Sequence, residues 1–434
     1  MTIAVALPLS RFYDREARHP DKCYMVQPLA GGKVWSLSWA DVADQARRAA
    51  HWLRRCGLPQ GSRVAIISKN CAHWIIADLA IWMAGHVSVP LHPNLTPESV
   101  AQILDHSDAA LVFVGKLDDW PAMSRGVQVG IPTIGLPICP EDWQFDFDWN
   151  ELQSWTPIQD NPCGQPDQLA TIIYTSGTTG VPKGVMHSFG TLGFAATHGR
   201  SIFGLGEKDR LFSYLPLCHV AERMFVEMAS IYSGQTVFFA QSLDTFLEDL
   251  KRARPTALFG GPGIWTRFQV GVYSKLSPER LDLLLNLPVI GKYTGRKVLR
   301  GLGLDALKVA LSGEAPVPHA LLLWYRRLGL DVLEVYGLTE NCGYSHVCRP
   351  GQQKDGWIGQ RCPQVQVRIA ENREVLVRSG ATMLGYFKEP LKTAEVVTHD
   401  GFLRTGDQGE LDDEGNLRIT GRLRTSSRPA KAGT

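Results

Sequence analysis

The chain has 434 residues, 44% of them hydrophobic and 20% charged, which is typical of a globular protein with two or three domains. Its 45 basic residues nearly balance its 43 acidic residues, which argues against a nucleic-acid-binding protein. The N-terminal apolar run lacks preceding basic residues, so we expect no secretory signal. The nine cysteines form no CxxC pair, so we expect reduced thiols and a cytoplasmic location.

The first part of the chain alternates helical and strand patterns. Ser38 is a suitable N-cap for the first long helix. The pattern predicts helices over 38–56, 72–84 and 97–105 and strands over 63–68, 86–90 and 110–114. Such alternation predicts a parallel sheet with helices on both faces. The proline-rich stretch 135–168 is predicted to be a connecting loop.

The next stretch, 171–188, reads TIIYTSGTTGVPKGVMHS. Its first four residues predict the end of a buried strand. The loop that follows is built from small hydroxyl residues and glycines: Thr175, Ser176, Gly177, Thr178, Thr179 and Gly180. Glycines let backbone N–H groups turn inward, hydroxyls add donors, and Lys183 adds positive charge, so this loop can hold a polyphosphate. The spacing differs from a P-loop, which requires glycine where Pro182 stands.

Four later segments combine a strand end with chemically useful side chains. They are PLCHVAER over 216–223, RPTALFGGP over 254–262 with Trp265 close behind, SGEAP over 312–316, and YGLTE over 336–340. An aromatic, a hydroxyl and a carboxylate in the last segment suit an ATP site with Mg²⁺. Each segment alone also fits an ordinary structure: a satisfied histidine beside an Arg–Glu pair, a core tryptophan, a strand-to-helix loop, or a capped helix.

From Gly356 the pattern changes to short alternating strands, predicted over 365–369, 374–378 and 385–387. They indicate a small β-rich subdomain over about 356–421. Two further motifs fall inside or beside it: Thr405-Gly406-Asp407 and Ile419-Thr420-Gly421-Arg422.

Together these motifs resemble the adenylate-forming (AMP-binding) superfamily, which includes acyl-CoA synthetases, luciferases and peptide-synthetase adenylation domains. PLCHVAER is most similar to long-chain fatty acid–CoA ligases. The resemblance implies an α/β fold: an N-terminal adenylation domain over 1–421, with two α/β subdomains of mainly parallel sheets and a small β-barrel subdomain. It also allows a homodimer and a peripheral contact with the inner face of a membrane.

The resemblance implies a role for each motif. The loop from Thr175 to Gly180, with Lys183, holds phosphates; Thr178 and Glu340 hold Mg²⁺. The turn of Gly313, Glu314 and Ala315 lies beside adenine and the acyl group, although the family more often has glycine or alanine in place of Glu314. The other implied roles are adenine stacking by Tyr336 beside Gly337, an α-phosphate contact from Thr339, ribose binding by Asp407, and a ribose or phosphate contact from Arg422.

The implied reaction joins a fatty acid to ATP to give an acyl-adenylate, followed by transfer to coenzyme A. Lys183, His219, Thr339 and Glu340 are the predicted catalytic residues. The acyl chain is expected beside His219, Gly313 and Gly337, with Trp265 as a gate. Two alternatives stay open: another adenylating ligase, such as a medium-chain, aryl or fatty acyl-AMP ligase, or a nucleotide- and fatty-acid-binding protein with little activity.

The family usually continues through a hinge into a mobile C-terminal domain, whereas residues 422–434 look like a hinge remnant and an unrelated tail. We expect that domain to be absent, with weak adenylation and little CoA transfer. One permitted set of codons for TSSRPAKAGT, shifted by one base, reads DIFKTGKGRY, which resembles the hinge. The hypothesis is a one-base deletion. Resequencing the DNA near codon 425 tests it, and codons that restore no hinge would contradict it.

Overall fold

The computed structural model describes residues 5–175 and 182–423, whose strands form one sheet of eight and one of thirteen. The strands are β1 Cys23–Pro28, β2 Val34–Ser38, β3 Arg63–Ile67, β4 Val87–Leu91, β5 Ala109–Val114, β6 Thr133–Gly135, β7 Phe147–Asp148, β8 Leu169–Thr175, β9 Lys183–Ser188, β10 Arg210–Ser213, β11 Thr236–Phe239, β12 Ala257–Gly260, β13 Val309–Ser312, β14 Val332–Tyr336, β15 His346–Val347, β16 Gly359–Arg361, β17 Gln366–Ile369, β18 Glu374–Arg378, β19 Gly385–Tyr386, β20 Leu403–Leu411 and β21 Asn416–Arg422.

Helices cover the faces of both sheets. They are α1 Pro8–Arg18, α2 Trp39–Arg55, α3 Ala72–Met83, α4 Pro97–Ser107, α5 Trp120–Met123, α6 Trp149–Gln153, α7 Phe189–Phe203, α8 Val220–Glu222, α9 Ala229–Ser233, α10 Phe246–Ala253, α11 Pro262–Tyr273, α12 Pro278–Asn286, α13 Ile290–Leu302, α14 His319–Leu328 and α15 Pro390–Val396. A π-helical turn, Arg223–Met228, joins α8 to α9. In the described ranges, no helix has both the length and the apolar character needed to cross a bilayer.

The eight-stranded sheet runs in the order β19-β9-β8-β4-β3-β5-β6-β7. Its strands are parallel from β8 to β7, and β9 returns antiparallel to β8. Thr175 therefore lies opposite Lys183 in the β8–β9 ladder, and the predicted phosphate loop connects these two residues.

The thirteen-stranded sheet changes character along its width. From β14 through β13, β12, β10 and β11 to β1 the strands are parallel, as the predicted α/β architecture requires. From β14 onward the sheet continues antiparallel through β15, β16, β21, β20, β18 and β17. These antiparallel strands supply the β-rich part predicted near 356–421, and the α/β fold class is confirmed.

Local sequence signals explain why the first elements form where they do. The side chain of Ser38 accepts a hydrogen bond from the backbone N–H of Asp41, and the carboxylate of Asp41 accepts one from the backbone N–H of Ser38. This capping box satisfies two otherwise unpaired donors, so α2 begins where the sequence predicted. Helix α3 is buried on all sides, which fits its nearly uniform apolar composition.

Two predictions about connections were wrong. The stretch 135–168 contains β7 and α6, because Asp148 caps the helix through the N–H of Glu151 while Trp149 and Leu152 are buried. The strand predicted over 385–387 forms as β19, but it pairs with β9 in the eight-stranded sheet rather than within the β-rich part. Its placement brings Tyr386 beside the phosphate-loop strands.

Candidate active site

A pocket of about 730 Å³ lies where the carboxyl ends of strands from both sheets meet. It collects many of the residues that the sequence singled out. Its walls include Thr175, Lys183, His219, Gly313, Glu314, Gly337, Thr339, Glu340 and Arg422. Ala315 lines the adjoining groove.

Lys183 and Glu340 are connected through an aromatic side chain that no sequence motif pointed to. The ammonium of Lys183 lies 5.1 Å from the ring centre of Tyr386, within cation–π range. The Tyr386 hydroxyl donates a 2.7 Å hydrogen bond to Oε1 of Glu340. Burial and the Glu340 carboxylate raise the pKa of Tyr386, which keeps it a donor at neutral pH. Tyr386 therefore holds the cation and the carboxylate on the same side of the pocket.

A buried histidine ties β9 to the 336–340 segment. His187 Nε2 lies 2.7 Å from the carbonyl oxygen of Thr339, and its Nδ1 lies 3.3 Å from the sulfur of Cys342. Burial lowers the pKa of His187 to about 4, so the ring is neutral and Nε2–H donates to the carbonyl. Because β9 begins at Lys183, this bond fixes Thr339 relative to the strand that carries the lysine.

A second polar cluster joins β14 to the β-rich part. The Tyr336 hydroxyl donates a 2.7 Å hydrogen bond to Oδ2 of Asp407, and Nε of Arg422 lies 3.8 Å from Oδ1 of the same carboxylate. Burial and Asp407 raise the pKa of Tyr336, so its hydroxyl stays protonated. Asp407 and Arg422 are opposite each other in the β20–β21 ladder. The predicted adenine-side tyrosine and ribose-binding aspartate thus lie in direct contact.

Close backbone approaches shape the pocket wall. A Cβ placed on Gly337 would lie only 2.3 Å from the carbonyl carbon of Gly343, so a side chain there would displace the backbone. A Cβ on Gly313 would lie 2.9 Å from the Val335 side chain. Glu314 adopts a φ of 71°, a left-handed conformation that is unfavourable for a residue with a Cβ.

His219 and Glu314 form a half-exposed pair at the mouth of the pocket. Nδ1 of His219 lies 3.5 Å from Oε1 of Glu314 and 3.3 Å from the backbone N–H nitrogen of Ala221. The two contacts require opposite protonation of Nδ1, because an N–H donates to the carboxylate whereas a bare nitrogen accepts from the backbone. Glu314 and the Ala221 backbone are therefore alternative hydrogen-bond partners of Nδ1.

The other end of the same segment is fully buried. Arg223 donates from Nη2 to Oδ2 of Asp78 at 2.5 Å, its Nε lies 3.3 Å from Oε2 of Glu227, and all three side chains have 0% exposure. The guanidinium also lies between the rings of Trp74 and Trp82. Burial, with the Asp78 carboxylate adding to it, raises the pKa of Glu227 well above its usual value. A protonated Glu227 leaves one positive and one negative charge, which balance.

An apolar chamber adjoins the pocket, between the helices α7 and α9 and the parallel part of the large sheet. It shares six residues with the pocket: Met224, Phe225, Phe259, Val335, Cys342 and Gly343. Phe225 and Phe259 stack in parallel with ring centres 4.7 Å apart at this junction. The pair separates a polar compartment from an apolar one.

This layout matches known proteins over most of the chain. Residues 12–387 match the family model of the AMP-binding enzyme. The chain belongs to the AMP-binding enzyme family. A long-chain-fatty-acid–CoA ligase of Mycobacterium bovis, FadD15, is 30% identical over 94% of this chain and 73% of its own length. Fatty acyl-CoA synthetase A of Dictyostelium discoideum is 28% identical over 91% of this chain and 66% of its own length.

Solved structures share the fold. The N-terminal domain of FACL13 from Mycobacterium tuberculosis superposes with a TM-score of 0.77 at 25% identity, covering 96% of this chain and 100% of that chain. The anthranilate CoA ligase AuaEII superposes with a TM-score of 0.81 at 20% identity, covering 97% of this chain and 79% of that chain. The predicted family and its adenylate-forming fold are thereby confirmed.

For some predicted site residues of this AMP-binding enzyme the described structure gives no contact with the pocket or no position at all. Ser176, Gly177, Thr178, Thr179 and Gly180 lie outside the described residues, as does the tail over 424–434. Trp265, the predicted gate, is fully buried, and its indole N–H donates to the carbonyl of Gly260. Its gate role stays a prediction.

Sequence reasoning missed three residues that the fold brings to the site. Tyr386 lies in a strand that was assigned to the wrong sheet. His187 lies within the loop-and-strand stretch 171–188, and Phe225 is the second residue after PLCHVAER. Proximity to a motif was the available signal for the last two, whereas nothing near Tyr386 in the sequence pointed to Glu340.

The residues present fit a magnesium ion held mainly by phosphate and water. Mg²⁺ typically takes one or two carboxylates together with substrate phosphates. Glu340 can supply one ligand, since Tyr386 occupies only one of its two carboxylate oxygens. Among the described residues, no group of three or more histidine, cysteine, aspartate and glutamate side chains could hold a metal ion by itself.

Proposed function

We propose that the protein activates a long-chain fatty acid as its acyl-adenylate, using ATP with Mg²⁺. The observation that carries the proposal is the junction of the two compartments. A polar pocket containing Lys183 and Glu340 shares a wall with an apolar chamber that suits a hydrocarbon chain. A carboxylate held at the Phe225–Phe259 junction would have its tail in the chamber and its oxygens in the pocket.

The chemistry requires no side-chain nucleophile. The substrate carboxylate attacks the α-phosphorus of ATP, an O–P bond forms, the bond to the oxygen bridging the α- and β-phosphates breaks, and pyrophosphate leaves. Lys183 neutralises phosphate charge, Asp407 binds the ribose hydroxyls and Tyr336 lies against the adenine. Mg²⁺, when bound, neutralises further phosphate charge. Catalysis then rests on positioning and electrostatics in a partly desolvated pocket.

Acid-dependent ATP–pyrophosphate exchange tests this function. With palmitate we expect exchange that falls by about 10²-fold or more in Glu340→Gln, because one preorganised charge contact is lost. Asp407→Asn should raise the KM for ATP more than it lowers kcat. Glu279→Gln changes an exposed carboxylate on α12 and serves as the matched control. Exchange that is absent with every fatty acid, or unaffected by Glu340→Gln, would contradict the proposal.

Transfer to coenzyme A is proposed as the second half-reaction, since the relatives to which the chain is similar are named as CoA ligases and acyl-CoA synthetases. Thioester formation can be followed by thiol consumption under the same conditions as the exchange assay. The other adenylating ligases remain the alternative function, and a panel of medium-chain and aryl acids in the exchange assay separates them from long-chain acids.

A peripheral membrane contact is proposed for the face formed by α11, α12 and α13. The segment 262–302 has seven exposed basic residues against two acidic ones: Arg267, Lys275, Arg280, Lys292, Arg296, Lys297 and Arg300 against Glu279 and Asp282. Apolar side chains are exposed among them: Val270, Leu283, Leu287, Val289, Ile290 and Tyr293. Arg267 and Lys275 also line a groove of about 1050 Å³ that reaches Glu314. Basic and apolar side chains together favour an anionic lipid surface.

Vesicle cosedimentation tests the membrane contact. Vesicles of phosphatidylcholine with phosphatidylglycerol should bind the protein more tightly than phosphatidylcholine alone. Lys292→Glu with Lys297→Glu should abolish that difference, while the exposed control pair Lys33→Glu with Lys208→Glu should keep it. Equal binding by both double variants would contradict this face. The predicted homodimer stays a prediction.

A further inference from the structure

The apolar chamber ends in a polar side chain. Gln235 lies immediately before β11, is 1% exposed and contributes to the chamber wall. Its amide oxygen is buried and accepts no hydrogen bond from any residue in the ranges 5–175 and 182–423. A buried amide oxygen without a donor is costly, whereas a bound molecule carrying a donor at that point would satisfy it.

The sheet register places Gln235 at a defined depth. Val237, Leu211 and Ala257 are directly paired across β11, β10 and β12. Phe259 lies two residues beyond that level toward the pocket, and Gln235 lies two residues beyond it in the opposite direction. Strand side chains alternate between faces, so both point to the chamber side of the sheet. Four residue steps, about 13 Å, separate them along the strands.

The same strand register gives the length of hydrocarbon chain that would reach from the pocket to Gln235. An extended hydrocarbon chain advances about 1.3 Å per carbon–carbon bond, so the distance of about 13 Å corresponds to about ten bonds. The walls over this distance are apolar, with Leu211, Ala257, Val309 and Leu311 on the sheet side. Allowing for the reach of the glutamine side chain and for the carboxyl end in the pocket, the far end of an acid of about twelve to sixteen carbons meets Gln235.

We propose that Gln235 selects fatty acids that carry a hydroxyl at the far end of the chain. The hydroxyl donates to the Gln235 amide oxygen, and it can accept from Ser233, whose side chain lines the same end. An unsubstituted chain leaves the amide unpaired, and this is the kind of difference on which hydroxyl recognition depends. The inference rests on the proposed acyl activation and adds the chemistry of the far end.

The test compares kcat/KM in ATP–pyrophosphate exchange for 12-hydroxydodecanoate and 16-hydroxyhexadecanoate with dodecanoate and hexadecanoate. We expect at least one hydroxy acid to exceed its unsubstituted partner by about tenfold. Gln235→Leu should reverse the preference, because the hydroxyl then has no acceptor. Gln159→Leu, on an exposed loop, is the matched control and should keep the preference.

A shorter amide sharpens the assignment. Gln235→Asn withdraws the carbonyl by one methylene and should shift the preferred hydroxy acid toward a longer chain. If the wild-type protein uses each hydroxy acid and its plain counterpart equally well, the inference is overturned while acyl activation stays intact. A preference for the corresponding dicarboxylic acids would have the same consequence. If none of the four acids supports exchange, the proposed function itself fails. If Gln235→Leu does not fold, the preference of the wild-type protein for hydroxy acids over plain acids tests the inference by itself.

Discussion

Within eight residues, the segment 216–223 presents its charged side chains to two opposite environments. His219 is 47% exposed at the mouth of the pocket and faces Glu314, which is 42% exposed. Arg223, one helical turn later, has 0% exposure and is held by Asp78, Glu227 and two tryptophan rings. One motif thus contains a solvent-facing pair and a sealed one, and the two should respond differently to substitution.

The difference shows how the fold separates anchoring from chemistry. Arg223 Nη1 also lies 3.3 Å from the hydroxyl of Thr171 in β8, so the buried cluster connects the π-helical turn to the strand that leads into the phosphate loop. His219 instead contacts Glu314 and the backbone of Ala221 at the mouth of the pocket. The buried contacts of Arg223 therefore hold the exposed His219 end of the segment in position.

The largest effect is expected from Arg223→Met. Asp78 would remain buried without its cation, and breaking a buried pair in this way typically costs about 3–5 kcal/mol. Urea unfolding should show that loss, or no folded protein. Asp78→Asn combined with Arg223→Met should recover part of the stability. Wild-type stability in Arg223→Met would contradict an anchoring role.

The pH dependence of stability should report on Glu222, at the buried end of the segment 216–223. Burial raises the pKa of Glu222 from its usual value of 4.5 to about 8, and three donors converge on one of its oxygens: Ser213, the Tyr214 backbone and Asn70. Between these pKa values the folded state holds a proton that the unfolded state has released, so stability falls as pH rises, by up to about 1.4 kcal/mol per pH unit.

Glu222→Gln should flatten this decline, because the amide cannot ionise and keeps an acceptor for the three donors. Urea unfolding between pH 7 and pH 8 is the cleanest window, since buried histidines with lowered pKa values, such as His187, change stability in the opposite sense at lower pH. Substituting the exposed Glu279 of α12 with glutamine should leave the slope unchanged. An unaltered slope in Glu222→Gln would show that Glu222 is ionised in the folded state.

The sequence predicted the fold class because alternating patterns and loop chemistry are local. Helix α2 and strand β3 form where the pattern placed them. The contacts of Tyr386 with Glu340 and of Tyr336 with Asp407 could not be predicted, because each joins residues 46 or 71 positions apart through sheet pairing. The burial of Arg223 was equally hidden, since its partner Asp78 lies 145 residues away.

His219→Gln is expected to alter activity without altering stability. An exposed side chain contributes little to folding, so the free energy of unfolding should change by less than about 0.5 kcal/mol. The rate of acid-dependent exchange should fall by about tenfold or more, because we propose that His219 contacts the substrate carboxylate and glutamine hydrogen-bonds differently. A loss of stability comparable to that of Arg223→Met would remove the distinction between the two ends of the segment.

The smallest effect concerns the backbone at Glu314. At a φ of 71° a residue with a Cβ is strained, and glycine relieves that strain while adding entropy to the unfolded chain. Glu314→Gly should therefore stabilise the fold by about 1 kcal/mol or less, seen as a small rise in Tm. Glu314→Ala is the matched control: it removes the carboxylate facing His219 but keeps the Cβ, so it should not stabilise. If glycine and alanine raise Tm equally, the carboxylate rather than the backbone is the source of strain. If only glycine does, the fold retains a strained residue at the pocket for the sake of its side chain.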